Sequence, residues 1–371
     1  MTAPMPLLDL DDVDALVGAD VDGILRSTAG GGAQIRATLS AVQEGALHRL
    51  DGLRPRCVVI VAGDGRAGRA ASLVCSLVAA RIGFPLVQAP NTPRWVGPLD
   101  VVVVAGDDAG DPRLAEAVDS ALRRGAEVVV AAPDEGPLGA AAAGRAMVLE
   151  PRVAVGPGHD LLRYLAAYLV VLRALDVTHD RSLLPDAADL ADAVDSEAVR
   201  DSPVNEVFHN PAKSLAARMQ GRRIVLAGDG EGALEVARAG AEAVLHAGRV
   251  AAVGSLGDVL RASGVLAASA EGAVHADSIF HDPDLDGPAG VEPVRAFVVT
   301  FQATRPITER RLAGLPDGDL VATDVGREED ASRGVGTRDS SAAAPSEFEQ
   351  AAVLVARFDM AAAYLRLTGG H

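Results

Sequence analysis

The chain has 371 residues, 49% hydrophobic and only 3% aromatic, with 34 Lys and Arg against 51 Asp and Glu. A net charge of −17 repels phosphodiester backbones and anionic lipid, and so few aromatics offer bases no stacking platform, which excludes nucleic acid and membrane as first readings. The length allows roughly two domains of about 150 residues each.

No apolar run reaches the ~20 residues of a spanning helix, and the first residues lack the basic-then-apolar order of a secretory signal. Cys57 and Cys75 are too few for a disulfide framework and read as inert core residues. The expectation is a soluble, cytoplasmic protein.

In chain order, residues 6–26 and 33–50 read as two helices around a flexible break, Thr28-Ala29-Gly30-Gly31-Gly32. Cys57–Ala62 is a short continuous apolar run, the mark of a strand buried on both faces. A glycine turn and a helix to about Ala80 follow. Pro85–Gln88, Asp100–Ala105 and Glu127–Ala132 read as further strands, with a helix at Arg113–Arg124 and a fifth strand at Ala146–Leu149. Leu161–Leu175 is a strongly apolar helix.

The pattern then restarts. Ile224–Ala227 reads as a strand, Gly232–His246 as a helix, and Val250–Val253, Ala296–Gln302 and Asp319–Asp324 as further buried strands. Residues 326–346 are polar and Gly/Ser-rich, the texture of a mobile loop. Glu347–Leu367 reads as an amphipathic helix, apolar at Ala351, Leu354, Val355, Phe358, Ala362 and Leu365, expected to pack across the domains or against a second subunit. Strands alternating with helices predict parallel sheets in an α/β fold. The similar turns AGDGRAG and AGDGEGA, each after a strand, predict an internal duplication.

A glycine turn between strand and helix presents backbone N–H groups to an anion. Gly63, Gly65 and Gly68 meet a dinucleotide fingerprint, but the acidic ribose partner is missing from Pro85–Pro90, which argues against NAD. The stretch His281–Gly287 has the D-x-D-x-D-G look of a calcium loop, yet position twelve is Pro293 rather than a bidentate Glu. No cofactor or metal is expected.

The duplicated α/β organisation, the glycine loop, the strand-loop Ala105–Pro112, Pro151-Arg152, Asn210-Pro211-Ala212-Lys213 and the closing helix together resemble the bifunctional phosphoglucose/phosphomannose isomerases. These are built from two sugar-isomerase (SIS) domains. The resemblance runs from about residue 30 to 368 and is closer still to an actinobacterial branch encoded near mannose-phosphate metabolism genes. It implies two tandem SIS-like doubly wound parallel-sheet domains with a C-terminal helix: a helical segment 1–50, a first domain 51–180 and a second 181–371. A homodimer is implied as well.

The departures from the family pattern carry the functional reading. The family's first phosphate loop, Gly-x-Gly-Gly-Ser-Gly, is here Gly63-Asp64-Gly65-Arg66-Ala67-Gly68, with an arginine and no serine. The second, Ser-x-Ser-Gly-Asn-Thr, is here Asp107-Asp108-Ala109-Gly110-Asp111-Pro112, with every hydroxyl replaced and three carboxylates present. Each carboxylate about 4–6 Å from a phosphate dianion repels it by several kcal/mol at an effective dielectric near 20. Arg66 offsets about one of them, or pairs with Asp107 or Asp108 and fills the old pocket. The resemblance thus implies substrate contacts at Gly63, Gly65, Arg66, Gly68, Asp107 and Gly110 in a weakened phosphate site.

Aldose–ketose isomerisation needs a base between C1 and C2 and a cation for the enediolate. By resemblance Arg152 is the cation, and His246 stands where the family has its glutamate base, with Glu242 one turn earlier. A histidine at a helix C-terminus is also a plain dipole partner. His275 and His281 are candidates for a second, ring-opening histidine, and Lys213 for a cap or packing role. Two readings stay open: a phosphosugar-binding protein of carbohydrate metabolism with reduced or absent isomerase activity, or an active glucose-6-phosphate/mannose-6-phosphate isomerase.

Overall fold

A computed structural model describes residues 8–176, 180–271, 292–315, 317–323 and 344–369. The chain divides into two compact units. One holds Gly23–Val199 with the last helix up to Ala356, and the other holds the N-terminal residues to Asp22, the chain from Arg200, and the last helix from Arg357.

The first unit opens with helices α2 (Ile24–Ala29) and α3 (Gly31–Gln43), while the short α1 (Val13–Ala19), capped by Asp12, belongs to the second. The chain therefore breaks at Asp20–Gly23, where Gly23 has φ +66°, earlier than the sequence suggested. Gly31 and Gly32 are not a flexible break. A Cβ on Gly31 would collide with Leu162, and one on Gly32 would sit 2.5 Å from the Asp195 carboxyl carbon. These glycines let α3 lie close against its neighbours.

Five parallel strands follow: β1 (Cys57–Ala62), β2 (Leu86–Gln88), β3 (Asp100–Ala105), β4 (Glu127–Ala131) and β5 (Met147–Val148), in spatial order β2-β1-β3-β4-β5. Between them run α4 (Arg66–Val78), α5 (Pro112–Arg123) and α6 (Gly136–Ala142), and then α7 (Leu161–Leu175) and α8 (Ala187–Arg200). Because successive strand residues face opposite sides, Val59, Val61, Val102, Val104, Val128 and Val130 pack with Leu114, Val118 and Leu138. Their alternates, among them Val58, Ile60, Val101 and Val103, are buried on the other face. Each such valine contributes about 1.5–3 kcal/mol of burial, so a run such as VVVV has no favourable place at a surface. Thirteen of the fifteen residues of α7 are buried, and it packs on α3 and α4.

The second unit repeats the scheme with four parallel strands, β6 (Arg223–Gly228), β7 (Ala251–Ser255), β8 (Val294–Val299) and β9 (Gly318–Val321), in order β7-β6-β8-β9. Its helices are α9 (Pro211–Met219), α10 (Glu231–His246), α11 (Leu256–Glu271) and α12 (Arg305–Leu312). β8 starts two residues before the predicted strand Ala296–Gln302 and ends three residues short of its end, since Phe301 is buried beyond the ladder and extends the apolar run. The edge strand β7 is half-exposed rather than buried. The matching strand orders agree with the expected duplication.

The last helix, α13 (Glu347–Thr368), is not one-sided. Every residue from Gln350 to Leu365 is buried, Arg357 and Asp359 included. Arg357 Nη1 donates to the Ala322 carbonyl at 2.9 Å, which satisfies part of a charge buried inside the second unit. Residues 326–343 of the loop read at 326–346, the histidines His275 and His281, and the calcium-like stretch lie outside the described residues. No helix among the described residues is long and apolar enough to cross a membrane.

Candidate functional site

In a doubly wound sheet, ligands bind outside the carboxyl ends of the strands where the strand order reverses. In the first sheet that point lies between β1 and β3. The loops leaving them, Gly63–Gly65 and Gly106–Asp111, meet there: Gly63 N–H donates to the Ala105 carbonyl at 2.7 Å, and a Cβ on Gly63 would lie 3.5 Å from Gly106 Cα. Gly65, the N-cap of α4, has φ +74° and ψ −135°, a conformation essentially reserved for glycine. Having no side chain, it leaves the first-turn N–H groups of a 13-residue helix without a side-chain cap. Gly68 allows close packing, since a Cβ there would approach the Gly63 carbonyl oxygen to 2.9 Å.

Arg66 is buried and its Nε donates to the Gly158 carbonyl at 2.7 Å, which directs it toward the loop before α7. Of the three carboxylates after β3, two hold the loop itself. Asp108 accepts from the Gly110 N–H at 2.7 Å, and Asp111 caps α5 by accepting from Arg113 N–H at 2.8 Å. Asp107 is exposed. Arg113, which the sequence did not single out, ties the site together. Its Nη1 donates to the carbonyls of Ala62 and Pro90 at 3.0 and 3.2 Å, and its Nη2 pairs with Asp111 at 3.3 Å.

A second set of groups that sequence reasoning missed stands at the start of α7. His159 Nδ1 lies 2.8 Å from Ser27 Oγ, and the His159 carbonyl accepts from Gln34 Nε2 at 2.9 Å. Arg163 is buried with its guanidinium 4.0 Å from the centre of the Tyr164 ring. Its Nη1 has no hydrogen-bond partner among the described residues, and the ring face takes over part of water's role. Burial pushes the Asp160 carboxyl above its ordinary pKa; Arg163 and Arg66 pull it back and Asp107 pushes it further up. Asp107, Asp160, Arg66 and Arg163 therefore form one electrostatic cluster. The only signal in the sequence was His-Asp-Leu-Leu-Arg-Tyr, a charged opening on an otherwise apolar helix.

The switch point of the second sheet, between β6 and β8, is filled by the protein's own groups. Asp229 accepts from Thr308 Oγ1 at 2.6 Å and from Arg311 Nη1 at 2.5 Å, and Thr300 lies 2.9 Å from both Thr304 and Thr308. Its counterpart in the first sheet, Asp64, is fully exposed.

The six loop residues Gly63, Gly65, Arg66, Gly68, Asp107 and Gly110 thus gather at one sheet edge. The proposed acid–base residues do not join them within that unit. Arg152 follows the edge strand β5, which stands three strands from β1, about 14 Å across, and is held by Glu44 through two hydrogen bonds of 2.7 and 2.6 Å. Glu242 and His246 belong to the second unit. α10 leaves the carboxyl edge of its sheet and runs back along it for 16 residues, about 24 Å, so His246 lies at the opposite edge from the Gly228–Gly230 turn, exposed, with Glu242 half-buried one turn before it. Lys213 is fully buried, its Nζ donating to the carbonyls of Pro203 and Asn205 at 2.7 and 2.8 Å. Among the described residues no group of three or more His, Cys, Asp or Glu is arranged to hold a metal.

No protein-family model matches the sequence, and no curated protein matches it. Solved structures do. Tagatose-6-phosphate ketose/aldose isomerase from Escherichia coli aligns over 98% of this chain and 96% of its own, with TM-score 0.54 and 14% identity. The C-terminal domain of glucosamine-fructose-6-phosphate aminotransferase from Francisella tularensis aligns over 94% and 96%, with TM-score 0.57 and 11% identity. A protein from Silicibacter pomeroyi that bears the name phosphosugar isomerase aligns over 92% and 96%, with TM-score 0.58 and 13% identity. The class the architecture defines is a two-sheet α/β protein of the SIS-type phosphosugar-isomerase fold. At such identities the likeness is one of fold.

Proposed function

We propose that this chain is a phosphosugar-binding protein of carbohydrate metabolism that keeps the anion seat of the SIS-type frame but has reduced or absent isomerase activity. The observation that carries the reading is the glycine-opened N-terminus of α4 at the β1/β3 switch point, a backbone cradle for a phosphate. The structural neighbours named for ketose/aldose phosphate isomerisation support the same ligand class. Reduced chemistry is supported by the Arg152–Glu44 pair, which neutralises the cation expected beside an enediolate, and by the position of His246 far along α10 from its glycine turn. By resemblance to sugar-isomerase domains the protein is a cytoplasmic homodimer, which light scattering on the purified protein checks.

A second reading, an active glucose-6-phosphate/mannose-6-phosphate isomerase working through an enediolate, draws on the exposed His246 one turn from Glu242. One experiment separates the two. Purified protein is melted with glucose-6-phosphate, mannose-6-phosphate, fructose-6-phosphate and tagatose-6-phosphate, and each is followed for proton exchange at C2 in deuterated water. A ligand at about 100 times its Kd adds about 2.7 kcal/mol of stability. Protection without exchange is the expected result. Exchange that disappears in Arg152→Ala would establish the enzyme, and protection by none of the four would end the phosphosugar reading.

A further inference from the structure

The second unit contains a cavity of about 250 Å³ at the carboxyl end of β9, one strand beyond the β6/β8 switch point that Asp229 closes, with Asp229 not in its lining. Its charged lining is Arg218 from α9, Arg305 from the start of α12 and Arg357 from α13, with His209 and Ser214 beside them. No carboxylate is among the described lining residues, in a chain whose net charge is −17. Asp319 and Glu309 stand behind two of the three arginines, so the lining carries a partly compensated positive charge, which in so acidic a protein still favours anions.

The guanidiniums are oriented before any ligand arrives. Arg357 is buried and held by the Ala322 carbonyl at 2.9 Å. Arg218 donates through Nε to the Ser214 carbonyl at 3.1 Å and pairs through Nη1 with Asp319 at 3.2 Å, and Asp319 divides its charge with Arg295. Arg305 is held by Glu309 at 2.8 Å. The start of α9 supplies no competing seat. Pro211 has no N–H, and the next two, Ala212 and Lys213, donate to Asp201 and to the Asn210 side chain. Recognition therefore rests on side-chain forks, which bind phosphate oxygens bidentately.

We propose that this cavity is a second anion site, for a small phosphate monoester, distinct from the first-sheet seat and independent of it. One guanidinium suffices for a carboxylate, whereas the remaining N–H groups of three, two of them sharing their charge with Asp319 and Glu309, match a dianion better. The volume, roughly eight water volumes, holds a phosphate with a short organic body against Leu215 and Val321.

Calorimetric titration of the full chain with inorganic phosphate, glycerol phosphate and acetate tests the inference. The expected result is binding of both phosphates, tighter for the monoester, and none of acetate. In Arg218→Gln/Arg305→Gln, one equivalent of bound phosphate disappears or its affinity falls at least tenfold, with an unchanged circular-dichroism spectrum. If that variant does not fold, Arg305→Gln alone is expected to weaken the same equivalent several-fold. Absence of phosphate binding to the wild type, or identical titrations for wild type and variant, overturns the proposal. Inorganic phosphate binding as tightly as the monoester overturns the organic part of it.

Discussion

Arg152 and Glu44 face each other fork to fork, Nη1 to Oε1 at 2.7 Å and Nη2 to Oε2 at 2.6 Å. The Arg152 guanidinium holds the Glu44 carboxyl below the usual carboxylate range, so the pair persists through neutral and mildly acidic pH. Both side chains are largely exposed, and exposed pairs contribute little to stability. Arg152→Ala is therefore expected to shift the melting temperature by no more than about 2 °C and to leave sugar-phosphate protection intact. Loss of protection in thermal melts would return Arg152 to the binding site.

Asp160 titrates abnormally because burial disfavours its charge. Its folded pKa lies above its unfolded one, so the native state holds the proton longer and the stability linked to it is lost as pH rises through the folded value. Asp160→Asn does not titrate. The variant is expected to melt above the wild type at pH 7, with the gap closing as pH falls below the ordinary carboxylate range. A gap that stays constant with pH would contradict the assignment.

Gly65 has no atom within 4 Å of where a Cβ would be, so alanine there meets backbone strain rather than a clash. Gly65→Ala is expected to destabilise the protein by about 1–3 kcal/mol and to remove thermal protection by sugar phosphates. Denaturant melts measure the first effect and ligand melts the second. Retained protection would show that α4's opening turn does not hold the phosphate.

Lys213 anchors two carbonyls from a fully buried position, with the Tyr364 ring 5.8 Å from its Nζ. Replacement by methionine keeps the bulk and leaves both acceptors without this donor. An expected loss of about 2–4 kcal/mol follows, readable by urea denaturation. A near-neutral result would mean that water replaces the ammonium.

Burial pushes the Cys75 thiol up to about 11, and it raises that of Cys57 as well. At pH 8 the thiolate fraction of Cys75 is roughly two hundredfold below that of an ordinary cysteine. Iodoacetamide is expected to leave Cys75 unmodified in native protein at pH 8 and to label it after unfolding, as peptide mapping would show. Rapid native labelling would indicate an opening of α4.

Strands were the most legible elements because CVVIVA, DVVVVA and EVVVA are apolar on both faces, a pattern that only the middle of a covered sheet satisfies. Helices such as α8, whose Ala- and Asp-rich sequence carries few large apolar residues, gave a weak period and were not anticipated. Gly31 and Gly32 were misread because local propensity treats paired glycines as a break, while their value here is the absence of a Cβ against Leu162 and Asp195. α13 was misread as one-sided because periodicity cannot show that polar residues such as Arg357 find buried carbonyl partners.

The chain by itself determined the α/β class, the duplication and the glycine turn that opens α4, since these rest on local apolarity and on the backbone freedom of glycine. Tertiary structure alone decided the chemistry at the edge of the sheet. Asp108 and Asp111 became turn and cap, Arg113 a clasp across two strand ends, Asp229 a plug, and Arg218, Arg305 and Arg357 the charged lining of one cavity. The physical reason is that a carboxylate or guanidinium acts through whatever lies within about 4 Å of it, and those neighbours come from segments far apart along the chain.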